Sequence, residues 1–471
     1  MTDPAQISPD GGAVLEAISI PETASLREAL HKLERTGTEV VCICDGDGRL
    51  IGVLSNGDAR AAALKNISLE SPITDAMNRE FVAMPQRSSR ERVLKMLDSR
   101  IKAIPIIDSS GRLVDFVAAG LRYTHPQGRE IYARARAPAR LSLAGGGTDF
   151  TSYFMDHGGV SLTTTVLCHA RAMLRRRDDS RIIIQSHDLG RRIEAENLQA
   201  LTYNGSIDLL KAGITVMQPS FGFELHVASD MMPGSGLGGS AALLAAVIGC
   251  FNEFRDEKLD LYEISEHAFE AERMELSVSG GWQDQYATVF GGFNFLEFSS
   301  EHNVVTPLRL QTSTLQEMEE RFLLCYTGIE HKGQQIQGRH KNRHVDDPER
   351  ISFASELKDI ALDMRSKLLR GNLEGFGQAL GDTWSLKKRY ESAVTSEALD
   401  AVYDVAIQAG AEGGRLLGTG GGGFYLFFTK PFRRYDVIRA LTDRGLTVGP
   451  VAFDALGLQS WTSRGNEEFS E

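Results

Sequence analysis

The densest chemical signal in the chain is Pro233-Gly-Ser-Gly-Leu-Gly-Gly-Ser-Ala-Ala242, entered from a strand-like Phe223-Glu-Leu-His-Val and followed by the apolar, helix-like run Ala241–Phe251. A glycine-rich turn at a helix start leaves backbone N–H groups free to close on a phosphate, with the positive end of the helix dipole behind them. Ordering so many glycines is costly unless the backbone must approach something closely. A phosphate is therefore expected against Gly234, Ser235, Gly236, Leu237, Gly238, Gly239 and Ser240. The same residues match Gly234-x-Gly236-x-x-Gly239, a dinucleotide fingerprint, but Asp230-Met-Met-Pro separates strand from loop.

Other groupings offer weaker chemistry. Asp45-Gly-Asp47-Gly opens like a calcium loop, yet Arg49 and Leu50 fill its fifth and sixth positions and Asn56 its twelfth, so a hairpin turn is expected. His340-Lys-Asn-Arg-His344 has the i, i+4 histidine spacing of a helical metal site without the adjacent Glu, and reads as basic surface or an anion clamp. Cys42 and Cys44 lie in the apolar run Val40–Cys44 with no second Cys or His pair nearby, and read as core thiols.

The elements that must hold these groups fall into two regions, divided near residue 130. In the first, Asp45-Gly-Asp-Gly-Arg-Leu-Ile51 and Asp108-Ser-Ser-Gly-Arg-Leu-Val114 repeat each other, each behind an apolar run. Upstream lie helix-like stretches, with Leu26, Ala29, Leu30 and Leu33 in one and Val93, Leu94, Met96 and Leu97 in the other. Two copies of helix, strand, turn, strand are implied. These residues resemble a pair of cystathionine-β-synthase (CBS) motifs over residues 14–122, after a tail at 1–13 and before a linker at 123–131. In that family a Gly-x-x-[Ser/Thr]-x-x-Asp stretch holds the ribose and phosphate of an adenine nucleotide, and Gly52-Val-Leu-Ser55-Asn-Gly-Asp58 fits it. The resemblance thus implies a regulatory nucleotide at Ser55 and Asp58, whereas Val114-Asp-Phe-Val-Ala-Ala-Gly120 lacks both groups. The plainer reading is a dimerising module in which Asp58 caps a helix starting at Ala59. A homodimer is expected.

Composition narrows the partners. Against 51 Lys and Arg stand 63 Asp and Glu, a net charge of −12 that lacks the footprint of nucleic-acid binding. The longest apolar run, Ala241–Phe251, is short of the ~20 residues that cross a bilayer. Five scattered cysteines suit a reducing compartment, and no basic stretch precedes an apolar core at the N-terminus, so a cytoplasmic location is expected.

Two stretches join the Gly234 loop in a larger pattern: Ala137-Pro-Ala-Arg140-Leu-Ser-Leu-Ala-Gly-Gly-Gly-Thr-Asp149-Phe and Leu417-Gly-Thr-Gly-Gly-Gly-Gly-Phe-Tyr-Leu-Phe-Phe428. In this order the three resemble the motifs of the GHMP small-molecule kinases, across residues 132–461. The resemblance implies an α/β (α+β) kinase of two lobes, at 132–310 and 311–471, with ATP and Mg²⁺ as cofactors. It implies that Gly234–Ser240 cradles the ATP phosphates and that Ser240 binds Mg²⁺ together with Glu272 of Ala268-Phe-Glu-Ala-Glu272-Arg. Gly239 stands where the family has a first serine and Met232 where it has a proline. Asp284, in Gly280-Gly-Trp-Gln-Asp284-Gln, falls where galactokinase carries its catalytic aspartate; phosphoryl transfer needs a carboxylate to accept the hydroxyl proton. Arg140 falls where the family sets a cation beside that aspartate. Asp149, with Gly146 and Gly147, matches the sugar-hydroxyl site, and Gly421 and Gly422 of the third motif are expected at the substrate.

Longer strings, among them Gly281–Gly292, Trp384-Ser-Leu-Lys-Lys388 and Gly457-Leu-Gln-Ser-Trp461, look like the heptose 7-phosphate kinase branch. That branch phosphorylates the anomeric hydroxyl of a sugar phosphate. A kinase for a free sugar such as fucose is the near alternative, and an inactive nucleotide sensor or a Rossmann oxidoreductase are the distant ones. A sugar phosphate needs cations, and Arg175–Arg177, Lys332 with Arg339–His344, and Lys387-Lys388-Arg389 could supply them.

Overall fold

The tandem repeat of the sequence is also a repeat of the fold. In a computed structural model, residues 11–36, 39–86, 88, 90–98, 101, 103–118, 131–329 and 347–464 are described. The chain divides into the units Met1–Gly128 and Arg129–Glu471. In the first unit, strand Ser19–Pro21 runs parallel to Val40–Cys44, which pairs antiparallel with Leu50–Ser55. The second copy repeats this with Met84–Pro85, Ala103–Ile107 and Leu113–Ala118. Helix Leu26–Thr36 buries Leu26, Ala29 and Leu33, one face at helical spacing. The Asp45 segment is the expected hairpin turn: Asp45 Oδ1 accepts from the amides of Asp47 and Arg49 at 2.9 Å each. Gly48 takes the left-handed conformation at φ 78°. The two hairpins then dock, Leu50 N–H donating to Gly111 O at 3.0 Å and Leu113 N–H to Gly48 O at 3.2 Å. Cys42 is buried between the copies with Ile18, Val53, Ala103 and Phe116. Helix Gly11–Ile18 starts inside the expected tail, and Ile131, expected in the linker, already opens a strand. Residues 119–130, most of that linker, lie outside the described residues.

The second unit is built on two sheets. The larger has nine strands, in the order Arg191–Ala195, Ile182–Ser186, Phe223–Ser229, Gly159–Arg176, Asn294–Phe298, Val304–Pro307. Ile131–Ala144 and Phe453–Asp454 also pair with the long strand Gly159–Arg176, and Gln459–Arg464 pairs with Ile131–Ala144. A clean division at residue 310 is therefore not what the chain adopts, because its last two strands return to the first sheet. The smaller sheet is antiparallel, in the order Ala411–Leu416, Phe424–Thr429, Phe322–Tyr326, Thr447–Pro450. Helix Gly239–Asn252 is apolar all round and buried from Ala241 onward except at the partly buried Leu243, as befits a helix enclosed by a core. Helices Leu261–Phe269 and Gln283–Phe290 follow it with no parallel strand between, so the glycine fingerprint lacks the βαβ unit of a dinucleotide fold.

Candidate functional site

Arg140 owes its position to strand alternation. Ala137, Ala139, Leu141 and Leu143 turn one face of strand Ile131–Ala144 into the core, which leaves Arg140 and Ser142 on the opposite face, lining a cleft. Register shifts at Pro138/Ala139 and Ser142/Ala144 bracket this stretch and bend it, a common device next to sites. Arg140 grips Asp284 with two bonds, Nε to Oδ1 at 2.7 Å and Nη2 to Oδ2 at 2.8 Å. Its Nη1 donates to Gly236 O at 2.5 Å, and its backbone N–H to Leu237 O at 3.0 Å. One guanidinium thus fastens the first turn of helix Gln283–Phe290 to the glycine-rich loop. Burial pushes the Asp284 carboxyl up, but the charge and hydrogen bonds of Arg140, with Arg273 beyond, outweigh it and hold the group below the usual carboxylate range.

The loop itself is cut to fit. Gly234, Gly236 and Gly238 have φ of 71°, 80° and 76°. A Cβ on Gly236 would lie 2.8 Å from Leu417 O, and one on Gly423 2.7 Å from Ser235 O, so the second and third glycine motifs pack backbone on backbone. Ser240 follows in the first turn of helix Gly239–Asn252 with its side chain exposed. Gly418 and Thr419 line the cleft, whereas Gly421 and Gly422 do not; the Gly421 amide donates to Val394 O at 2.7 Å. The part of the third motif that reaches the cleft is therefore its start, ahead of the expected Gly421 and Gly422.

Asp149 is 1% exposed and lines the cleft with Gly146 and Gly147. Its Oδ1 accepts from the Gly147 amide at 2.8 Å and its Oδ2 from the Gln283 amide at 3.1 Å, tying the first motif to the helix that carries Asp284. Burial pushes its carboxyl up, against those two donors. Glu272 sits in the single π-helical turn Glu270–Glu275, an irregularity frequent at functional sites. It is buried rather than exposed, accepting from Gln285 Nε2 at 2.8 Å, with Arg273 Nη2 at 3.4 Å; burial pushes its carboxyl up. A hydroxyl from Ser240 and a carboxylate from Glu272 are a hard-oxygen donor set that suits Mg²⁺, an ion that keeps waters and shares phosphate oxygens.

Cations crowd the rest of the cleft: Arg273, Arg350, Lys387 and Arg415 line it beside Arg140. Only Lys387 belonged to an expected basic cluster. Lys388 pairs with Asp400 and Arg389 with Glu356, both at 2.8 Å. Arg175 is paired to Glu224, Arg177 to Asp179, and Arg176 stacks over Phe221, so that cluster is the partnered end of an internal strand of the large sheet. The cluster at Lys332 and Arg339–His344 lies outside the described residues. Arg415 carried a signal that could have been followed, a lone cation in the otherwise apolar Gly413-Gly-Arg-Leu-Leu417 just before the third motif. The aromatic wall of the cleft includes the stacked pair Phe353 and Tyr390, 4.0 Å between centroids.

In the first unit, Ser55 and Asp58 form a capping box at helix Asn56–Leu64: Asp58 N–H donates to Ser55 Oγ at 3.2 Å, and Ser55 N–H to Asp58 Oδ2 at 2.8 Å. Ser55 Oγ also donates to Asp58 Oδ2 at 2.6 Å. Both side chains are engaged with the helix start, which begins at Asn56 rather than Ala59.

Known proteins resolve what such a cleft belongs to. Residues 204–292 match the GHMP kinases N terminal domain, residues 364–446 the GHMP kinases C terminal domain, and residues 14–65 the CBS domain. The chain is 36% identical over 334 residues to D-glycero-alpha-D-manno-heptose 7-phosphate kinase of Campylobacter jejuni, covering 70% of this chain and 98% of that one. It is 28% identical over 340 residues to the L-fucokinase/L-fucose-1-P guanylyltransferase of Bacteroides fragilis, covering 65% and 36%. The crystal structure of a D-glycero-D-manno-heptose 1-phosphate kinase from Bacteroides thetaiotaomicron superposes with a TM-score of 0.59 at 31% identity, covering 70% of this chain and 98% of that one. No described helix is long and apolar enough to cross a membrane. With a glycine-rich loop, a carboxylate held by arginine and a cationic cleft on one unit and a CBS domain on the other, the chain belongs to the GHMP kinases and is a sugar kinase that transfers phosphate to a hydroxyl.

Proposed function

We propose that the chain phosphorylates the anomeric hydroxyl of D-glycero-D-manno-heptose 7-phosphate to the 1,7-bisphosphate, using ATP and Mg²⁺, on the way to a nucleotide-activated heptose. The observation that carries this reading is the Arg140 guanidinium, bonded at once to Asp284 and to Gly236 of the phosphate loop. ATP with Mg²⁺ supplies the phosphoryl group. Asp284, kept ionised by Arg140, accepts the proton of the attacking hydroxyl, while the same cation offsets charge on the oxygen that loses it. Gly234–Ser240 offer backbone N–H groups to the donor phosphates, and Ser240 and Glu272 are the candidate metal ligands. Asp149 orients the sugar ring. Likeness to the Campylobacter relative, over nearly all of its length, supports heptose 7-phosphate; likeness to the Bacteroides fragilis fucokinase supports a free sugar as the second reading.

An ADP-release screen decides between them. Heptose 7-phosphate, free heptose, mannose, fucose and galactose are offered with ATP and Mg²⁺, and the phosphorylated heptose is expected to give the highest kcat/KM. A higher value for any free sugar overturns the assignment. For the first unit we propose an adenine nucleotide near Ser55 and Asp58, supported by the CBS match and by the anion-attracting start of helix Asn56–Leu64. Calorimetric titration of the chain with AMP tests it, and absence of heat in both the native chain and one carrying Asp58→Ala removes it.

A further inference from the structure

The acceptor side of the cleft holds more positive charge than its own carboxylates balance. Lys387 comes from helix Leu373–Tyr390 and Arg415 from strand Ala411–Leu416. Among the described residues each donates to a carbonyl and to no carboxylate: Lys387 Nζ to Gly418 O at 2.8 Å, and Arg415 Nη1 to Leu143 O at 3.1 Å. Arg415 is 2% exposed, and its Nε has no hydrogen-bond partner among the described residues. Lys387 feels the charges of Arg415, Arg140 and Asp149, and Arg415 in turn those of Lys387 and Arg140, with Glu391 lining the same cleft. Arg140 is committed to Asp284, and Asp149 already accepts from two amides. Burial and mutual repulsion push Lys387 down to about 7 and Arg415 down to about 10. Buried cations left in this state are costly, and an arriving anion relieves them.

We propose that Lys387 and Arg415 grip the phosphate monoester already carried by the acceptor sugar, and that this pair sets the preference for a phosphorylated sugar over a free one. The inference rests on the proposed function above, whose site it deepens. The donor phosphates have their own partners, the loop Gly234–Ser240 and the start of helix Gly239–Asn252. Arg415 comes instead from the smaller sheet and Lys387 from helix Leu373–Tyr390, and Lys387 faces Asp149, the residue assigned to the sugar. A guanidinium beside an ammonium offers a fork and a point charge to one dianion.

The test compares the native chain with Lys387→Met, Arg415→Met and Arg415→Lys, using heptose 7-phosphate and free heptose as acceptors. The ratio of kcat/KM for phosphorylated over free sugar is expected to fall roughly 100-fold in the Met variants, through KM for the phosphorylated sugar, and to recover in part in Arg415→Lys. Should Arg415→Met fail to fold, as a melting curve would reveal, Lys387→Met carries the comparison. A parallel arm titrates inorganic phosphate by calorimetry with ADP present to fill the donor loop; binding to the native chain and its loss in Lys387→Met are expected. Equal losses for both sugars would mean that the pair serves the transferred phosphoryl instead, and would overturn the proposal. So would unchanged phosphate affinity. If the native chain turns over neither sugar, the proposed function fails, and the phosphate arm still decides whether this pair is an anion site.

Discussion

Asp284 can serve as a base only while it is ionised, and two bonds from Arg140 at 2.7 and 2.8 Å keep it so. Asp284→Asn preserves the shape and removes the proton acceptor, so kcat is expected to fall roughly 10²–10⁴-fold with ATP affinity nearly unchanged. Single-turnover kinetics and an ATP titration check this; turnover within about tenfold of the native chain would remove Asp284 from the role. Lys387 adds a pH dependence. Its ammonium, held at about 7 among Arg415, Arg140 and Asp149, is charged below that pH and neutral above it in the free enzyme. The kcat/KM for heptose 7-phosphate is therefore expected to decline as pH rises past 7. The decline should be absent from the profile for free heptose and from Lys387→Met with either sugar. A bound dianion restores the charge, so kcat should keep its value where kcat/KM falls.

At the scale of elements, glycines report where backbone comes close, which is why the three motifs could be read in advance. Gly281 shows how tight that approach is: a Cβ there would lie 1.9 Å from Asp149 Oδ2. Gly281→Ala is expected to displace Asp149, raising KM for the sugar and lowering kcat by roughly 10²-fold, with a stability loss of about 1–3 kcal/mol followed in parallel by the melting temperature. The cations were harder to read. Arg273, Arg350 and Arg415 sit on three separate elements with no shared spacing, and a lone Arg among 51 Lys and Arg looks like surface until the fold buries it. Arg140, Asp149 and Asp284 were legible because each lies inside a motif whose glycines mark it; Arg175–Arg177 misled because a charge run says nothing of the acids that meet it across a sheet. A cap at Asp58 was legible but three residues late: the helix starts at Asn56, with Ser55 as its N-cap and Asp58 closing the box, and that role is measurable. Asp58→Ala is expected to cost about 1 kcal/mol of stability in the first unit, read as a lowered melting temperature with the kinase turnover unmoved.

On the scale of the whole molecule, the kinase and CBS units are each compact and differ in kinship. The Campylobacter relative aligns over 98% of its length with only 70% of this chain. A chain beginning at Arg129 has a core of its own and is expected to keep kinase turnover within roughly threefold of the full chain, checked by ADP release from both. Adding AMP to each then tests whether the first unit acts on the second; a response confined to the full chain supports the nucleotide site near Ser55 and Asp58. The kinase unit also closes on itself. Its opening strand, Ile131–Ala144, bears Arg140 in its second half, while its first half is covered by the last strand, Gln459–Arg464, with Arg136 meeting Gln459 across 323 positions. At roughly 5–20 residues per second of synthesis, the partner of Arg136 reaches it ~16–65 s later. Through that interval the edge of the strand that carries Arg140 stays open to any passing chain, so a chain that stopped short of Gln459 would keep its three motifs intact and leave its seam unsealed.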